Sequence, residues 1–278
     1  MKIGVNTFGL GPYLHRDGVR IWEKLKTGGA EAIEPCIAVR REPPAEAKAR
    51  AWLDKGIFDG VYSTEAAEKL IPSLRRMGFE VYSFHLMASP FSAEAVLEVR
   101  PFMERLGLRY CVCNFMEKSV GEMQKKKETI ETARGLLQER GMELLAHNHD
   151  LEWLPDEGTC VMQWMLEQIP GLRFEIDLGW TEYAGISSTE ILERYPERFP
   201  LLHIKEIGKE AKARMNQPFC TAPGKGILPL QAILERAKAM PLDEDHALII
   251  DQDDSMDGDI VADIAYGIGE IRRLWQPG

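Results

Sequence analysis

The feature that most constrains the fold of this chain is a regular alternation of short apolar runs with longer amphipathic segments. Eight apolar runs have the length and composition of buried strands, and they cover residues 3–7, 32–35, 80–85, 110–115, 143–147, 173–177, 201–205 and 247–251. The segments between them have helical spacing, as in residues 66–77, 93–106, 120–140, 229–239 and 260–275. Gly78, Gly107 and Gly141 each follow one of these helices, which is typical of a helix C-terminus. Because helices separate consecutive strands, the pattern predicts parallel strands joined by right-handed crossovers.

The number of repeats predicts the architecture. Dividing 278 residues among eight strand–helix units gives about 35 residues a unit, which is within the range of a (β/α)8 TIM barrel. We therefore predict an α/β fold with a single domain over residues 1–278, and we interpret residues 38–61 as an enlarged loop after the second strand. The alternative fold is a doubly wound open sheet, which usually carries a glycine-rich phosphate loop after its first strand. The segment TFGLGPY at that point lacks the required spacing.

The charge balance and the hydropathy pattern limit the partners and the location. Asp and Glu number 44 against 34 Lys and Arg, and the net charge of −10 argues against a nucleic-acid partner, which needs a basic surface. No run of about 18 consecutive apolar residues occurs, so we expect no membrane-spanning helix. The start of the sequence, MKIGVNTFGLG, lacks the features of a signal peptide, and we therefore expect a cytoplasmic protein.

The cysteines do not form a recognisable disulfide or metal pattern. The five residues are Cys36, Cys111, Cys113, Cys160 and Cys220. Their number is odd and no CxxC spacing occurs among them, so we interpret them as small apolar thiols in the core. A structural zinc site is not expected.

Polar residues close every one of the eight predicted strands. In strand order they are Asn6, Glu34, His85, Asn114, His147 with His149, Asp177, His203 with Lys205, and Asp251 with Asp253. The carboxyl ends of barrel strands surround one mouth, where active sites are built, so we expect these side chains to converge. Four of the six histidines lie at these ends, whereas we expect His15 and His246 to lie in loops that face solvent. Imidazoles combined with carboxylates suit a divalent metal such as Mn²⁺, Zn²⁺, Fe²⁺ or Co²⁺.

The segments that carry these residues resemble a known superfamily. The chain resembles the xylose isomerase-like TIM barrels, and more narrowly their sugar phosphate isomerase/epimerase group. The resemblance is carried, in this order, by the segments LLAHNHDLEW, FEIDLGW, LLHIKEIG, GKGILPLQAIL and IIDQDD. The similarity covers essentially the whole chain. It implies one divalent metal (Mn, Zn, Mg, Fe or Co) at the mouth, held by His147, Asp177, His203 and Asp251. Relatives commonly have Glu where this chain has His147 and Asp251, and Asp253 is an alternative ligand to the short Asp251.

The resemblance also implies a reaction. It implies a metal-dependent isomerase or epimerase that acts on a small sugar, keto-sugar or cyclitol through an enediolate. Glu152, Asp253 and Lys205 are the candidate catalytic residues, and Glu175 is interpreted as structural because it lies one layer deeper than Asp177. The candidate substrate-binding residues are Asn6, Glu34, His85, Asn114, His149 and Trp180.

Other functions remain open on the sequence. One is a cyclitol dehydratase of the inosose dehydratase type, and another is a non-catalytic barrel that only binds a sugar. An endonuclease IV-like repair enzyme would need more metal ligands and a basic DNA-binding face, which this acidic chain lacks. We expect a small carbohydrate as the partner, with a homo-oligomer as an open alternative.

Overall fold

Parallel strands close into a barrel in a computed structural model of the protein, which describes residues 2–39, 57–88, 91–211, 218–242 and 248–276. Ten strands form the main sheet over these residues: β1 Ile3–Asn6, β2 Ala32–Glu34, β3 Cys36–Ile37, β4 Val61–Tyr62, β5 Ser83–Leu86, β6 Tyr110–Asn114, β7 Glu143–His147, β10 Arg173–Asp177, β11 Leu201–Ile204 and β12 Leu248–Ile250. Between β7 and β10, β8 (Pro155–Asp156) and β9 (Thr159–Cys160) form a separate antiparallel hairpin.

The strand order confirms the (β/α)8 TIM barrel. The sheet runs β2-β1-β12-β11-β10-β7-β6-β5-β3-β4, and every pairing within it is parallel. It closes because β2 and β3 are two parts of one strand, which pairs with β1 on one side and with β5 on the other. Ala32 also forms a parallel bridge with Glu80, ahead of β5. The open, doubly wound alternative is therefore excluded.

Pro35 divides the second barrel strand. Proline has no backbone N–H to donate to a ladder, so regular pairing is interrupted at this residue. Its carbonyl oxygen still accepts the N–H of His85 at 3.0 Å, and Cys36 then pairs with His85. The second strand thus extends beyond its predicted end at residue 35 and carries Cys36 toward the mouth.

Helices cover the outside of the barrel. Their bounds are Gly11–Asp17, Arg20–Thr27, Thr64–Arg76, Ala93–Leu106, Val120–Gln138, Val161–Gln168, Leu178–Tyr183, Ser188–Arg194, Leu230–Ala237 and Ile260–Trp275. The three predicted C-terminal glycines, Gly78, Gly107 and Gly141, have φ of 83°, 61° and 70°, a conformation that glycine adopts at little cost. Among the described residues, none of the helices combines the length and the hydropathy of a membrane-spanning segment.

The core lies between the sheet and these helices. Phe84 packs against Phe102, and Phe174 against Phe199, with ring centroids 5.9 and 6.1 Å apart. All five cysteines are buried and free, as predicted. His15 is exposed but lies in the helix Gly11–Asp17 instead of a loop, and His246 lies outside the described residues. Most of the predicted loop at 38–61 also lies outside them.

Candidate functional site

The carboxyl ends of the strands surround a cavity of about 280 Å³. Nine of the residues predicted from the sequence line it: Asn6, His85, Asn114, His147, His149, Trp180, Lys205, Asp251 and Asp253. Asp177 and His203 lie behind this lining and are fully buried. The expectation that the strand ends converge on one polar site therefore matches the structure.

The four predicted metal ligands lie together. One nitrogen or oxygen atom from each of His147, Asp177, His203 and Asp251 lies within 4.8 Å of the corresponding atoms of the others. Two ligand atoms bound to one ion at about 2.0–2.6 Å are at most about 5.2 Å apart, so these atoms are close enough to share an ion. A second group, His85, His147, Glu175 and His203, overlaps with the first and lies deeper in the barrel. Asp251 reaches the group despite its short side chain.

Asp177 is held in place by the start of the next helix. Its Oδ1 accepts the N–H of Trp180 at 2.8 Å and so caps the helix Leu178–Tyr183. Asn148 accepts the backbone N–H of Asp177 at 2.9 Å and fixes the end of the strand. The other oxygen, Oδ2, is buried without a hydrogen-bond partner, 3.9 Å from Nε2 of His147. Burial raises the pKa of Asp177 to about 7. An unpartnered buried carboxylate oxygen beside an imidazole nitrogen fits a cation site.

Both ring nitrogens of His203 lie close to carboxylates. Nε2 lies 2.9 Å from Oε2 of Glu34 and 2.9 Å from Oε2 of Glu175, and Nδ1 lies 3.2 Å from Oδ2 of Asp251. Burial lowers the pKa of His203, but the charges of Glu175 and Asp251 outweigh it and hold the pKa well above its usual value. For Glu175, burial opposes ionisation, but His203 and His85 lower the pKa of the carboxyl to about 2.

His147 has the opposite electrostatic environment. Burial lowers its pKa well below the usual value, and the neighbouring His85, His203 and His149 lower it further. The ring of His147 packs against all three of these imidazoles, with centroids 4.7 to 5.1 Å apart. His147 is therefore neutral near pH 7, which is the form that binds metals.

Lys205 brings a positive charge into the cavity. Its Nζ lies 3.0 Å from Oδ2 of Asp251 and 2.8 Å from Oδ1 of Asp253, and 5.8 Å from the centroid of the Trp180 ring. Burial lowers the pKa of Lys205, but Asp251, Asp253 and Asp177 outweigh it, so the pKa stays well above the usual value. Burial raises the pKa of Asp253. The pair therefore consists of a fixed ammonium and a carboxylate that holds a proton more readily than an exposed Asp.

Glu34 is part of the floor of the site, beneath the cavity lining. Its Oε2 accepts a hydrogen bond from Nδ2 of Asn6 at 2.9 Å and also faces His203. The side-chain oxygen of Asn6 in turn accepts the N–H of Phe8 at 2.9 Å. The carboxylate is fully buried and contacts Asn6 and His203, and its predicted contact with a substrate stays a prediction.

Glu152 lies outside the cavity lining, although the sequence placed it among the catalytic candidates. The 3-10 turn Leu151–Trp153 directs its carboxylate back to the chain, where Oε2 accepts the N–H of His149 at 2.9 Å. The side chain is fully buried, and burial raises its pKa. The carboxylate therefore contacts the loop that carries His149 and does not line the cavity, where the predicted proton transfer to a substrate would take place.

Four cavity residues were missed by the sequence reasoning, namely Phe8, Cys36, Met87 and Met116. Each lies two positions after a predicted site residue at the end of a strand: Asn6, Glu34, His85 and Asn114. Side chains two apart in an extended chain point to the same face, so this spacing would have found Cys36 and Met87, which continue their strands. It would not have found Phe8, which begins a 3-10 helix, or Met116, whose φ is 56°. They give the cavity an apolar part beside its charged floor.

Comparison with solved structures shows the same fold in other proteins. A sugar phosphate isomerase/epimerase from Parabacteroides distasonis has a TM-score of 0.71 at 18% identity, over 97% of this chain and 94% of that chain. The probable 3-DHS dehydratase AsbF from Bacillus anthracis has a TM-score of 0.64 at 14% identity, over 100% of both chains. The IOLI protein, which was solved with a bound zinc atom, has a TM-score of 0.63 at 12% identity, over 99% of this chain and 96% of that chain.

These likenesses confirm, at the level of the fold, the resemblance to sugar phosphate isomerase/epimerase and xylose isomerase-like TIM barrels. No protein-family model matches the sequence. No curated protein matches it either.

Proposed function

We propose that this chain is a metal-dependent isomerase or epimerase that moves a proton next to the carbonyl group of a small sugar, keto-sugar or cyclitol. The observation that carries the proposal is the position of two histidines and two aspartates, close enough to share one ion, beside a cavity that contains the Lys205–Asp253 pair. Its volume of about 280 Å³ is at the lower end of the roughly 300–1,000 Å³ of ligand pockets, which suits a small molecule.

The residues fit a divalent ion. His147, Asp177, His203 and Asp251 would hold it, and the unpartnered Oδ2 of Asp177 supports this assignment. Two imidazoles with two carboxylates favour Mn²⁺, Zn²⁺, Fe²⁺ or Co²⁺ over Mg²⁺, and the IOLI structure shows zinc bound to a protein of this fold. When bound, such an ion supplies Lewis-acid polarisation of a carbonyl or hydroxyl oxygen.

Asp253 is the proposed proton-transfer base. Its carboxylate lines the cavity, and its raised pKa brings its basicity closer to that needed to remove a proton near pH 7. Lys205 donates to Asp253 at 2.8 Å and keeps a positive charge where negative charge develops on the oxygens of an enediolate. Asn114 has a buried Oδ1 without a hydrogen-bond partner, which suits it to accept a hydrogen bond from a substrate hydroxyl. Trp180 offers a face for the apolar side of a ring.

The test is the exchange of substrate protons with solvent deuterium. The wild-type protein, supplied with Mn²⁺ or Zn²⁺, is incubated in D₂O with keto-sugars and cyclitols, and incorporation is followed by NMR and mass spectrometry. We expect Asp253→Asn to lower the exchange rate by about 10²–10⁴ at unchanged metal content. Glu152→Gln is the matched control, and it is expected to spare exchange per folded molecule because Glu152 contacts the loop backbone.

Two results would contradict this proposal. A product lighter by one water would assign the chain to the dehydratases instead, the class of the structural neighbour AsbF. An absence of exchange and of any product with the metal-loaded protein would favour a non-catalytic sugar-binding barrel.

A further inference from the structure

Glu175 lies beneath the proposed metal ligands, in the interior of the barrel. It precedes Asp177 by two residues on β10, so both side chains point inward, with Glu175 one layer deeper. Its backbone pairs in register with that of His147 on the neighbouring β7. The side chain is fully buried, and among the described residues it faces histidines, namely His85, His147 and His203.

Three imidazoles from three different strands surround one oxygen of Glu175. Oε2 lies 2.7 Å from Nε2 of His85 and 2.9 Å from Nε2 of His203. Nδ1 of His147 is 3.9 Å from the same oxygen and has no hydrogen-bond partner. The rings of His85 and His203 stack with centroids 5.1 Å apart and an interplanar angle of 10°. One carboxylate thus sits at the centre of a histidine cluster.

In each of the two proposed ligand histidines, the two ring nitrogens face different carboxylates. His203 turns Nε2 to Glu175 and Glu34, and Nδ1 to Asp251. His147 turns Nδ1 toward Glu175, and Nε2 toward Asp177. A histidine whose N–H on one side is held by a carboxylate presents the other nitrogen as an acceptor for a metal. For His203, the nitrogen that faces Asp251 is therefore the one available to an ion. For His147, Nδ1 lies beyond hydrogen-bond distance of Glu175, so its ring is not held by this carboxylate in the same way.

We propose that Glu175 is a positioning residue that fixes the ring orientation and the tautomer of His203, and so sets the metal affinity of the site. This inference rests on the proposed metal site. It assigns a functional role to a residue that the sequence suggested was structural. If Glu175 were only a structural counter-ion, its loss would lower the stability of the fold and leave the metal affinity of the folded protein unchanged. A measurement of metal affinity therefore distinguishes the two roles.

The first measurement is zinc affinity, by competition with a chromophoric chelator, in the wild-type protein and in Glu175→Gln. Loss of a carboxylate that orients ligand histidines typically weakens metal binding by about 10–100-fold, and we expect an effect of that size. Glu206→Gln is the matched control, since it also removes a buried carboxylate at the end of a strand, but one that accepts backbone N–H groups. The control is expected to bind zinc as the wild-type protein does. Equal affinity in Glu175→Gln and the wild type, or equal losses in both variants, would overturn the inference.

The second measurement needs neither a variant nor a metal. In ¹H–¹⁵N spectra of histidine side chains of the zinc-free wild-type protein, we expect slowly exchanging, hydrogen-bonded Nε2–H signals from both His85 and His203. Their absence would overturn the proposal even if Glu175→Gln fails to fold. If the wild-type protein binds no metal, the proposed function fails, whereas these signals still decide whether Glu175 orients the rings of His85 and His203.

Discussion

Glu206 shows at the scale of one residue how a buried carboxylate organises a loop. It follows Lys205 directly and is almost completely buried. Its Oε2 accepts the N–H of Gly224 at 2.8 Å, and its Oε1 accepts the N–H of Leu228 at 2.9 Å. The loop passes so close that a Cβ at Gly226 would lie 2.4 Å from Oε1 of Glu206, so glycine is required there. Burial raises the pKa of Glu206 to about 7.

The raised pKa of Glu206 predicts the sign of a pH effect on stability. The folded protein holds the Glu206 proton more tightly than the unfolded chain does, so this group stabilises the fold fully below pH ~4.5 and loses that contribution as the pH rises through about 7. We expect the free energy of unfolding of the wild-type protein to fall relative to that of Glu206→Gln by up to ~3 kcal/mol across this interval. Urea denaturation of both proteins at pH 4.5 and 7.5 measures the difference. A constant or rising difference would show that the backbone N–H groups keep Glu206 ionised.

The residue types of the site could be predicted from the sequence better than their roles. The polar residues at the strand ends were sufficient to predict that four side chains lie together, because strand ends in a barrel share one mouth. These residues are His147, Asp177, His203 and Asp251. The strand-end pattern could not place Glu152, whose direction depends on a 3-10 turn that has no repeating pattern.

Contacts between strands that are far apart in the sequence could not be predicted from it either. The partners of Glu175 come from β5, β7 and β11, which only the closed barrel brings together. Glu34 joins the same cluster from β2 through its contact with His203.

At the scale of the element, the close approach of the helix Leu178–Tyr183 to β11 fixes Asp177 and Trp180. A Cβ at Gly179 would lie 2.1 Å from the carbonyl oxygen of Lys205, so Ala at this position must push the helix away from the strand. Gly135, in the last turn of the helix Val120–Gln138, has nothing within 4 Å of the corresponding position.

These two glycines give a paired prediction. Gly135→Ala is expected to raise the free energy of unfolding by about 0.5–1 kcal/mol, because alanine loses less backbone entropy than glycine in a helix. Gly179→Ala is expected to lower both stability and metal affinity, since the helix that Asp177 caps must move. Chemical denaturation and chelator competition measure the two quantities. Wild-type metal affinity in Gly179→Ala would contradict the proposed coupling of this helix to the site.

Two helices and two strands were predicted to the residue. The helices Ala93–Leu106 and Ile260–Trp275 and the strands Glu143–His147 and Arg173–Asp177 have the predicted bounds. The hairpin of β8 and β9 was not predicted, because its strands have two residues each and no alternation can be seen over that length.

At the scale of the whole molecule, barrel closure brings opposite ends of the sequence into one site. Asn6 on β1 and Asp251 after β12 line the same cavity, since these two strands pair. The eight-fold repeat predicted this closure from the sequence, because eight parallel strands with outer helices close on themselves. The identity of the substrate does not follow from the fold, because barrels of this kind support many reactions.

Metal stoichiometry tests the central claim of this account most directly. The wild-type protein and Asp177→Asn are dialysed to equilibrium against Mn²⁺ or Zn²⁺, and the bound metal is counted by inductively coupled plasma mass spectrometry. Asparagine still caps the helix through its side-chain oxygen but replaces the unpartnered anionic oxygen by an amide, so the fold is preserved while a ligand is lost. We predict about one ion per wild-type chain, a similar amount in Asp253→Asn, and a large loss in Asp177→Asn. A wild-type protein that binds no ion, or an Asp177→Asn variant that binds it as tightly as the wild type, would contradict the account.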